Sequence, residues 1–341
     1  MMMMDAGRPA AISDTADLDL IALLGDLKAD GYRFVTPTPA SHARVLDRPD
    51  RQLGRTLRDL LGWSLPVLRS DINPAILAAL EAIDMIETQG ELVRSRLRVS
   101  SLDHDLYCHS AYPTTAEDAV FFGPDSYRFA ALIKAELDHS MVGPEGQIVD
   151  IGTGAGVGAV VAAHLCPEAG VIMTDINAEA VRYAAVNAAA AGVQADALLT
   201  ADLDAVDGPI DVILANPPYI IDPAGRDYRD GGGMHGAEVA FDMARMAVPR
   251  IAPGGRLILY TGSAIIAGTD PLGEALSTLA DETQCHLRYR EIDPDVFGDE
   301  LANPAYGDVD RIAVVAAVIE RSGGGHDRRF PVPRRGPRTA G

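Results

Sequence analysis

Cysteine is scarce in this chain. Cys108, Cys166 and Cys285 stand far apart, which fits neither a disulfide framework nor a zinc spacing. No group of His, Cys and carboxylates has metal-ligand spacing, so no metal is expected. No apolar run reaches the roughly 18 uninterrupted residues a membrane helix needs, so no membrane association is expected. Residues 1–5 lack a basic stretch leading into an apolar one, so a secretory signal is not expected. These absences point to a reducing, cytoplasmic setting.

Positive charge is also short. The chain has 29 Lys and Arg against 49 Asp and Glu, a net charge of -20. Residues 1–110 carry net -4, residues 111–320 net -21 and residues 321–341 net +5. An acidic body repels phosphate backbones, so nucleic acid is disfavoured as a partner and a cationic small molecule or a basic protein is favoured.

What is present suffices for two domains. The chain has 341 residues, 48% of them hydrophobic, enough to bury a sizeable core. Residues 1–14 read as a loose leader. Leu18, Leu20, Ile21, Leu23, Leu24 and Leu27 form the apolar stripe of a first helix that stops at Gly31. Helices are expected again over 40–46, 52–61 and 74–83, followed by short strands over 85–87, 91–99 and 105–111. Helices followed by a small sheet make a winged-helix-like α+β module over residues 1–112, which would cover a substrate or dock one. From residue 113 to 320 strand and helix alternate. Strands are expected over 147–151, 171–175, 197–200, 212–214, 256–260, 284–292 and 310–319. Helices fall over 156–165, 178–191, 239–251 and 272–279. That alternation predicts a mainly parallel, doubly wound α/β sheet with helices on both faces. Residues 321–341, rich in Gly, Pro and Arg, read as a disordered basic tail. No internal repeat is seen.

Two motifs carry chemistry. After the first strand of that sheet comes Asp150-Ile151-Gly152-Thr153-Gly154-Ala155-Gly156. Glycines there permit positive φ and let a ligand approach the backbone closely, and a nucleotide-bearing ligand binds at the carboxyl edge of such a sheet. The second strand ends in Asp175, whose carboxylate can accept both ribose hydroxyls. After the fourth strand comes Asn216-Pro217-Pro218-Tyr219. Two prolines remove two backbone donors, leaving the carbonyls of Asn216 and Pro217 and the Asn216 amide to accept from an amino group. Tyr219 offers a flat face to a planar group. Such a set positions a weakly nucleophilic nitrogen for in-line attack on a methyl sulfonium, by orientation and local electrostatics.

Strand, glycine loop, acidic second strand and Asn-Pro-Pro-Tyr together resemble the class I methyltransferases that modify conjugated nitrogens. These include adenine amino methyltransferases and release-factor glutamine methyltransferases. The resemblance spans roughly residues 115–320. It implies a seven-stranded Rossmann-like domain and S-adenosylmethionine as cofactor. It implies that Gly152, Gly154 and Gly156 line the methionine part, that Asp175 holds the ribose and that Asp202 faces the adenine amino group, with Asp150, Ile176 and Leu203 also among the cofactor contacts. Asn216, Pro217 and Tyr219 would present the acceptor, with Asn216 also facing the cofactor. Phe122 to Tyr127 would close over it. The later run Gly231-Gly232-Gly233-Met234-His235-Gly236 is similar to the glutamine methyltransferases, whereas Gly123-Pro124-Asp125-Ser126 stands where those enzymes carry an arginine.

The acidic charge ranks a small guanidine- or amide-bearing metabolite such as arginine first as acceptor. Asp222, Asp227, Asp230 and Glu238 follow the motif and could orient a guanidinium. His235 and the histidines at 104 and 109 are candidate bases. A protein glutamine or a nucleobase amino group is the alternative acceptor, and a non-catalytic cofactor-binding regulator the alternative class.

Overall fold

A computed structural model describes residues 12, 14–138, 142–222, 225–226 and 228–323. The expected leader lies almost wholly outside them, as do Asp227 and the tail from residue 324.

The N-terminal part opens with α1 (Thr15–Ala29), capped by the Asp14 carboxylate on the Ala16 N–H. Its Leu20, Leu23, Leu24 and Leu27 are buried, each contributing roughly 2 kcal/mol of apolar burial. Helix α2 (Pro39–Leu46) matches expectation to within a residue. The expected helix over 52–61 is shorter: α3 (Leu57–Leu61) starts only at the Thr56 capping box, because Gly54 is taken into a bridge with Val67. Strand β1 (Val67–Leu68), α4 (Pro74–Ala82), β2 (Ile86–Gln89) and β3 (Leu92–Ser95) follow, and the strands form an antiparallel sheet in the order β1-β3-β2.

The expected strand over 91–99 is in fact two strands. The Ser95 hydroxyl donates to the Leu97 carbonyl and accepts from the Leu97 N–H, bending the chain at Arg96. Strand β4 (Leu97–Leu102) then pairs with β5 (Asp105–Ser110) in a separate hairpin. A side-chain hydroxyl competing with ladder bonds leaves no mark in hydrophobic periodicity.

The remainder is the doubly wound sheet. Helix α5 (Pro124–Glu136) precedes β6 (Gln147–Ile151), α6 (Val157–Leu165), β7 (Gly170–Asp175), α7 (Ala178–Ala190), β8 (Asp196–Leu199) and β9 (Ile210–Ala215). After a turn, α8 (Gly233–Gly236), come α9 (Glu238–Ala247), β10 (Ile251–Ile265), α10 (Pro271–Glu282), β11 (Cys285–Asp293) and β12 (Arg311–Arg321). The seven strands lie in the order β11-β12-β10-β9-β6-β7-β8. Only β12 runs antiparallel to its neighbours. Strand β6 is buried along nearly its whole length, as a parallel strand covered on both faces must be. It pairs with β7 on one side and β9 on the other. The strand order reverses between β6 and β9, and that is where such sheets bind ligands. Because Ile151 lies in register with Ala215, Gly152 and Asn216 leave the sheet side by side.

The N-terminal elements pack directly on the sheet domain. A single apolar cluster runs from Leu20, Leu24 and Leu80 through Ala184 to Ile148. Alanines on α7 make that close approach possible, and Arg182 on the same helix pairs with Asp17 at 2.6 Å. The fully buried Asn187 accepts from the Cys108 N–H at 2.8 Å and donates to the carbonyls of Cys108 and Ala155. One side chain thus ties the β5 hairpin to the glycine loop. The opposite sheet face is closed by α9 and α10 over Val149, Ile213 and Leu257. No described helix is long and apolar enough to cross a membrane.

Candidate active site

The glycine turn after β6 has the predicted backbone. Gly152, Gly154 and Gly156 have φ of 62°, 55° and 80°, a region costly for residues with a Cβ. A Cβ on Gly154 would meet nothing within 4 Å, so this part of the loop faces open space. A Cβ on Gly156 would approach the Ala184 backbone to 3.1 Å, so this glycine serves the packing of the loop against α7.

Asp150 lies beneath the loop. Its Oδ2 accepts from the Thr153 hydroxyl at 2.6 Å and the Ala159 N–H at 3.0 Å. Burial pushes its pKa up to about 7, against the lowering effect of those two bonds; the Asp175 charge adds to the rise. Asp175, at the end of β7, accepts from the Gly154 and Asn177 N–H groups, both at 2.9 Å. Its carboxylate therefore bridges loop and strand.

Above these groups lies a cavity of about 310 Å³, within the range of small-molecule sites. It is lined by Asp150, Gly152, Gly154, Asp175, Ile176, Asn216 and Met243, among others. Ile176 is 59% exposed, a large apolar side chain left uncovered at the cavity mouth. Three expected cofactor contacts do not line it: Gly156, which packs on α7, Asp202 and Leu203. Leu203 is buried in the core under α9 and α10, and the Asp202 carboxylate turns back to Thr200 and the Asp204 N–H. Thr200 and Ala201 line the cavity in their place.

A second, smaller cleft of about 100 Å³ adjoins the first. Asn216, Pro218, Phe121 and Tyr228 line both; Pro217, Tyr219, Asp125, Arg229 and Phe297 belong to the cleft. The Tyr219 ring lies against the backbone of Gly262, where a Cβ would come within 2.1 Å of it, and meets Phe297 edge-on at 5.7 Å. Its buried hydroxyl has no hydrogen bond of normal geometry. Burial, and then the Asp125 carboxylate, hold its pKa well above the usual phenol value. The glycine run after the motif has a steric cause: Cβ atoms at Gly231 and Gly236 would come within 2.7 and 2.6 Å of the Tyr219 backbone.

Several expected substrate contacts fall elsewhere. Phe122 is buried, stacked on His109 and packed on Tyr107; its neighbour Phe121 faces both cavities. In an extended stretch adjacent side chains point opposite ways, and nothing in a Phe-Phe pair says which is inward. Tyr127 turns toward the N-terminal part, where its hydroxyl accepts from the Thr36 N–H. Asp222 is buried and receives the Arg226 guanidinium at 2.6 Å, which shapes the loop. The Glu238 carboxylate accepts from the Gly233 N–H. Of the acids after the motif, Asp230 lines the larger cavity. His235 pairs with Asp308 away from the site. His109 is fully buried against the Ser100 hydroxyl, and burial, then Arg98, push its pKa well below the usual value. No group of ligating side chains able to hold a metal occurs among the described residues.

Residues 128–274 match the family described as Methyltransferase small domain. Release factor glutamine methyltransferase of Deinococcus radiodurans is 31% identical over 164 residues, covering 45% of this chain and 55% of that protein. That of Cereibacter sphaeroides is 34% identical over 141 residues, 38% of this chain and 51% of that protein. Ribosomal RNA small subunit methyltransferase C of Serratia proteamaculans is 31% identical over 90 residues, 26% of this chain and 25% of that protein. The chain thus spans about half, or less, of the length of these curated relatives. Among solved structures, the T. thermophilus 16S rRNA N2 methyltransferase with AdoMet and guanosine covers 75% of this chain and 64% of its own, at TM-score 0.43 and 16% identity.

The matched region is similar to methyltransferase domains, in line with the Rossmann-like sheet. The expectation about partners is corrected. A small metabolite ranked first and nucleic acid was disfavoured, yet the relatives are named for a release factor and for ribosomal RNA. The physical reason is that net charge is an average over the surface and does not set the potential at one cleft.

Proposed function

We propose that this chain is an S-adenosylmethionine-dependent N-methyltransferase whose acceptor is a planar nitrogen of a translation component, a protein glutamine amide first. One observation carries the reading: Asn216 lines both the glycine-loop cavity and the adjoining cleft. A methyl donor in the first and an acceptor nitrogen in the second meet at that side chain.

The residues suit such a cofactor. The open backbone at Gly154, the apolar Ile176 at the mouth and the Asp175 carboxylate would hold an amino-acid part, a nucleoside face and a ribose. The cofactor supplies an activated methyl group. The protein supplies position: Asn216 and the Pro217 carbonyl accept the acceptor N–H bonds, and Phe121 and Tyr228 shield the junction of the two cavities from water. Holding the reactants in line is worth orders of magnitude in rate. The glutamine assignment draws support from the release factor enzymes among the relatives, and from the run of glycines behind Tyr219. The experiment is methyl-labelled cofactor added to clarified extract of cells lacking the gene, followed by separation of protein, RNA and small molecules. Label in a protein that releases N-methylglutamine on hydrolysis supports the reading. Label in RNA moves the acceptor to a nucleobase amino group, and label in neither refutes the proposal.

A further inference from the structure

Among the described residues the acceptor cleft has one carboxylate in its lining, Asp125, in the first turn of α5. It is buried at 6% exposure. Oδ1 accepts from the Tyr260 hydroxyl at 2.9 Å and from Arg128 at 3.4 Å. Oδ2 has no hydrogen bond of normal geometry among the described residues. Arg128 is held from its other side by Asp293 at 3.2 Å. The buried Tyr219 hydroxyl lies close to the same carboxylate, which raises its pKa, without a hydrogen bond of normal geometry between them. A buried acid normally has its acceptor capacity used, so an open oxygen on this cleft asks for a donor from outside.

We propose that Asp125 accepts the proton that the acceptor nitrogen must lose. This inference rests on the N-methyltransfer reading and deepens it. The nitrogen lone pair forms the new N–C bond while the C–S bond breaks and its pair stays on sulfur. The sulfonium becomes a neutral thioether, and the N–H proton passes to Oδ2. Carboxylate and sulfonium charges vanish together, so no further reagent is needed. Tyr260 and Arg128 fix the carboxylate's direction, and Asn216 turns the N–H toward it. A planar amide or amino nitrogen is a poor nucleophile while it keeps that proton, and a positioned base contributes about 10² to 10⁴ in rate.

The test compares Asp125→Asn, Asp125→Ala and Asn216→Ala in the labelled-extract assay, with calorimetric titration of S-adenosylmethionine beside it. Both Asp125 variants should bind the cofactor within about twofold of wild type and transfer methyl at least about 100-fold more slowly. Added formate should restore transfer to Asp125→Ala, whose cavity can admit it, and leave Asn216→Ala unchanged; a merely structural acid gives no such rescue. Asp125→Asn at wild-type rate with Asn216→Ala inactive would overturn this inference and leave the methyltransferase reading standing. No transfer by wild type removes both. Should the Asp125 variants not fold, Tyr260→Phe keeps the question open to test. It should slow transfer about tenfold with cofactor affinity unchanged, and an unaltered rate counts against the proposal.

Discussion

At the scale of single residues, Asn216 and Asp150 make opposite demands. Asn216 stands at the junction of two cavities with its amide uncommitted among the described residues, so its replacement costs little in folding. Asn216→Ala should cut methyl transfer by about tenfold or more, because the acceptor loses a positioning bond made where charge develops. Calorimetric affinity for S-adenosylmethionine should change little. An unchanged transfer rate would remove Asn216 from the acceptor site. Asp150 lines the cavity and also supports the loop from below, through Oδ2 bonds to Thr153 and Ala159. Its pKa, raised to about 7, has a stability consequence. Between the ordinary carboxylate value and about 7 the native state holds a proton that the unfolded chain has lost. Stability therefore falls as pH rises through that window and levels off above it. Asp150→Asn keeps an acceptor for Thr153 and Ala159 and has no proton to lose. The fall in melting temperature from pH 5 to pH 8 should be several degrees larger for wild type than for Asp150→Asn. Parallel pH curves for the two proteins would show that Asp150 titrates normally.

At the scale of elements, legibility followed locality. The glycine turn, Asp175 at its strand end and the Asn-Pro-Pro-Tyr loop are each specified by a few consecutive residues, and the structure brings them together because Ile151 and Ala215 lie in register. The helix α5 was not expected, and Asp125, which falls within the segment expected to close over the cofactor, was given no role of its own. Its core-facing residues, Phe129, Ala130, Leu132 and Ile133, are few and mixed with Arg128, Lys134 and Glu136, so the apolar period is weak. Strand β10 runs three times as far as its expected five residues, from Ile251 to Ile265, because pairing with β12 carries it past the parallel part. Asn187 is the least legible case. Inside an alanine-rich helix it looks like a neutral polar residue, yet it satisfies three backbone groups on two other segments. Asn187→Leu keeps the branched outline and orphans all three, at about 1–3 kcal/mol each when buried. The urea midpoint should fall markedly, and cofactor affinity should weaken because the Ala155 carbonyl belongs to the glycine loop. Destabilisation without any loss of affinity would mean that the tie serves the hairpin alone.

At the scale of the molecule, the sequence suggests two domains, and one of the two apolar clusters among the described residues runs across both parts. A composition shift near residue 112 is readable; the apolar contact across it is not, because Leu20 and Ala184 are distant in sequence and neither is unusual by itself. The shared cluster predicts a thermodynamic property that separate modules would lack. The single tryptophan, Trp63, sits in the N-terminal part, edge-on to Phe34 at 5.3 Å and tilted against the buried His42, so its fluorescence reports that part alone. Far-UV circular dichroism is dominated by the helices and strands of the larger sheet domain. If α1 and the β5 hairpin are integral to the packing of α7, the two signals should change with one midpoint and one slope in urea, as a single cooperative transition requires. Methionine-rich or polar interfaces between modules separate at lower denaturant; this one is leucine, alanine and a satisfied asparagine, and should hold until the sheet itself opens. A tryptophan transition that precedes the dichroism change would instead make the N-terminal part an independently melting unit, free to move over the acceptor cleft at Pro39, its one residue on that rim.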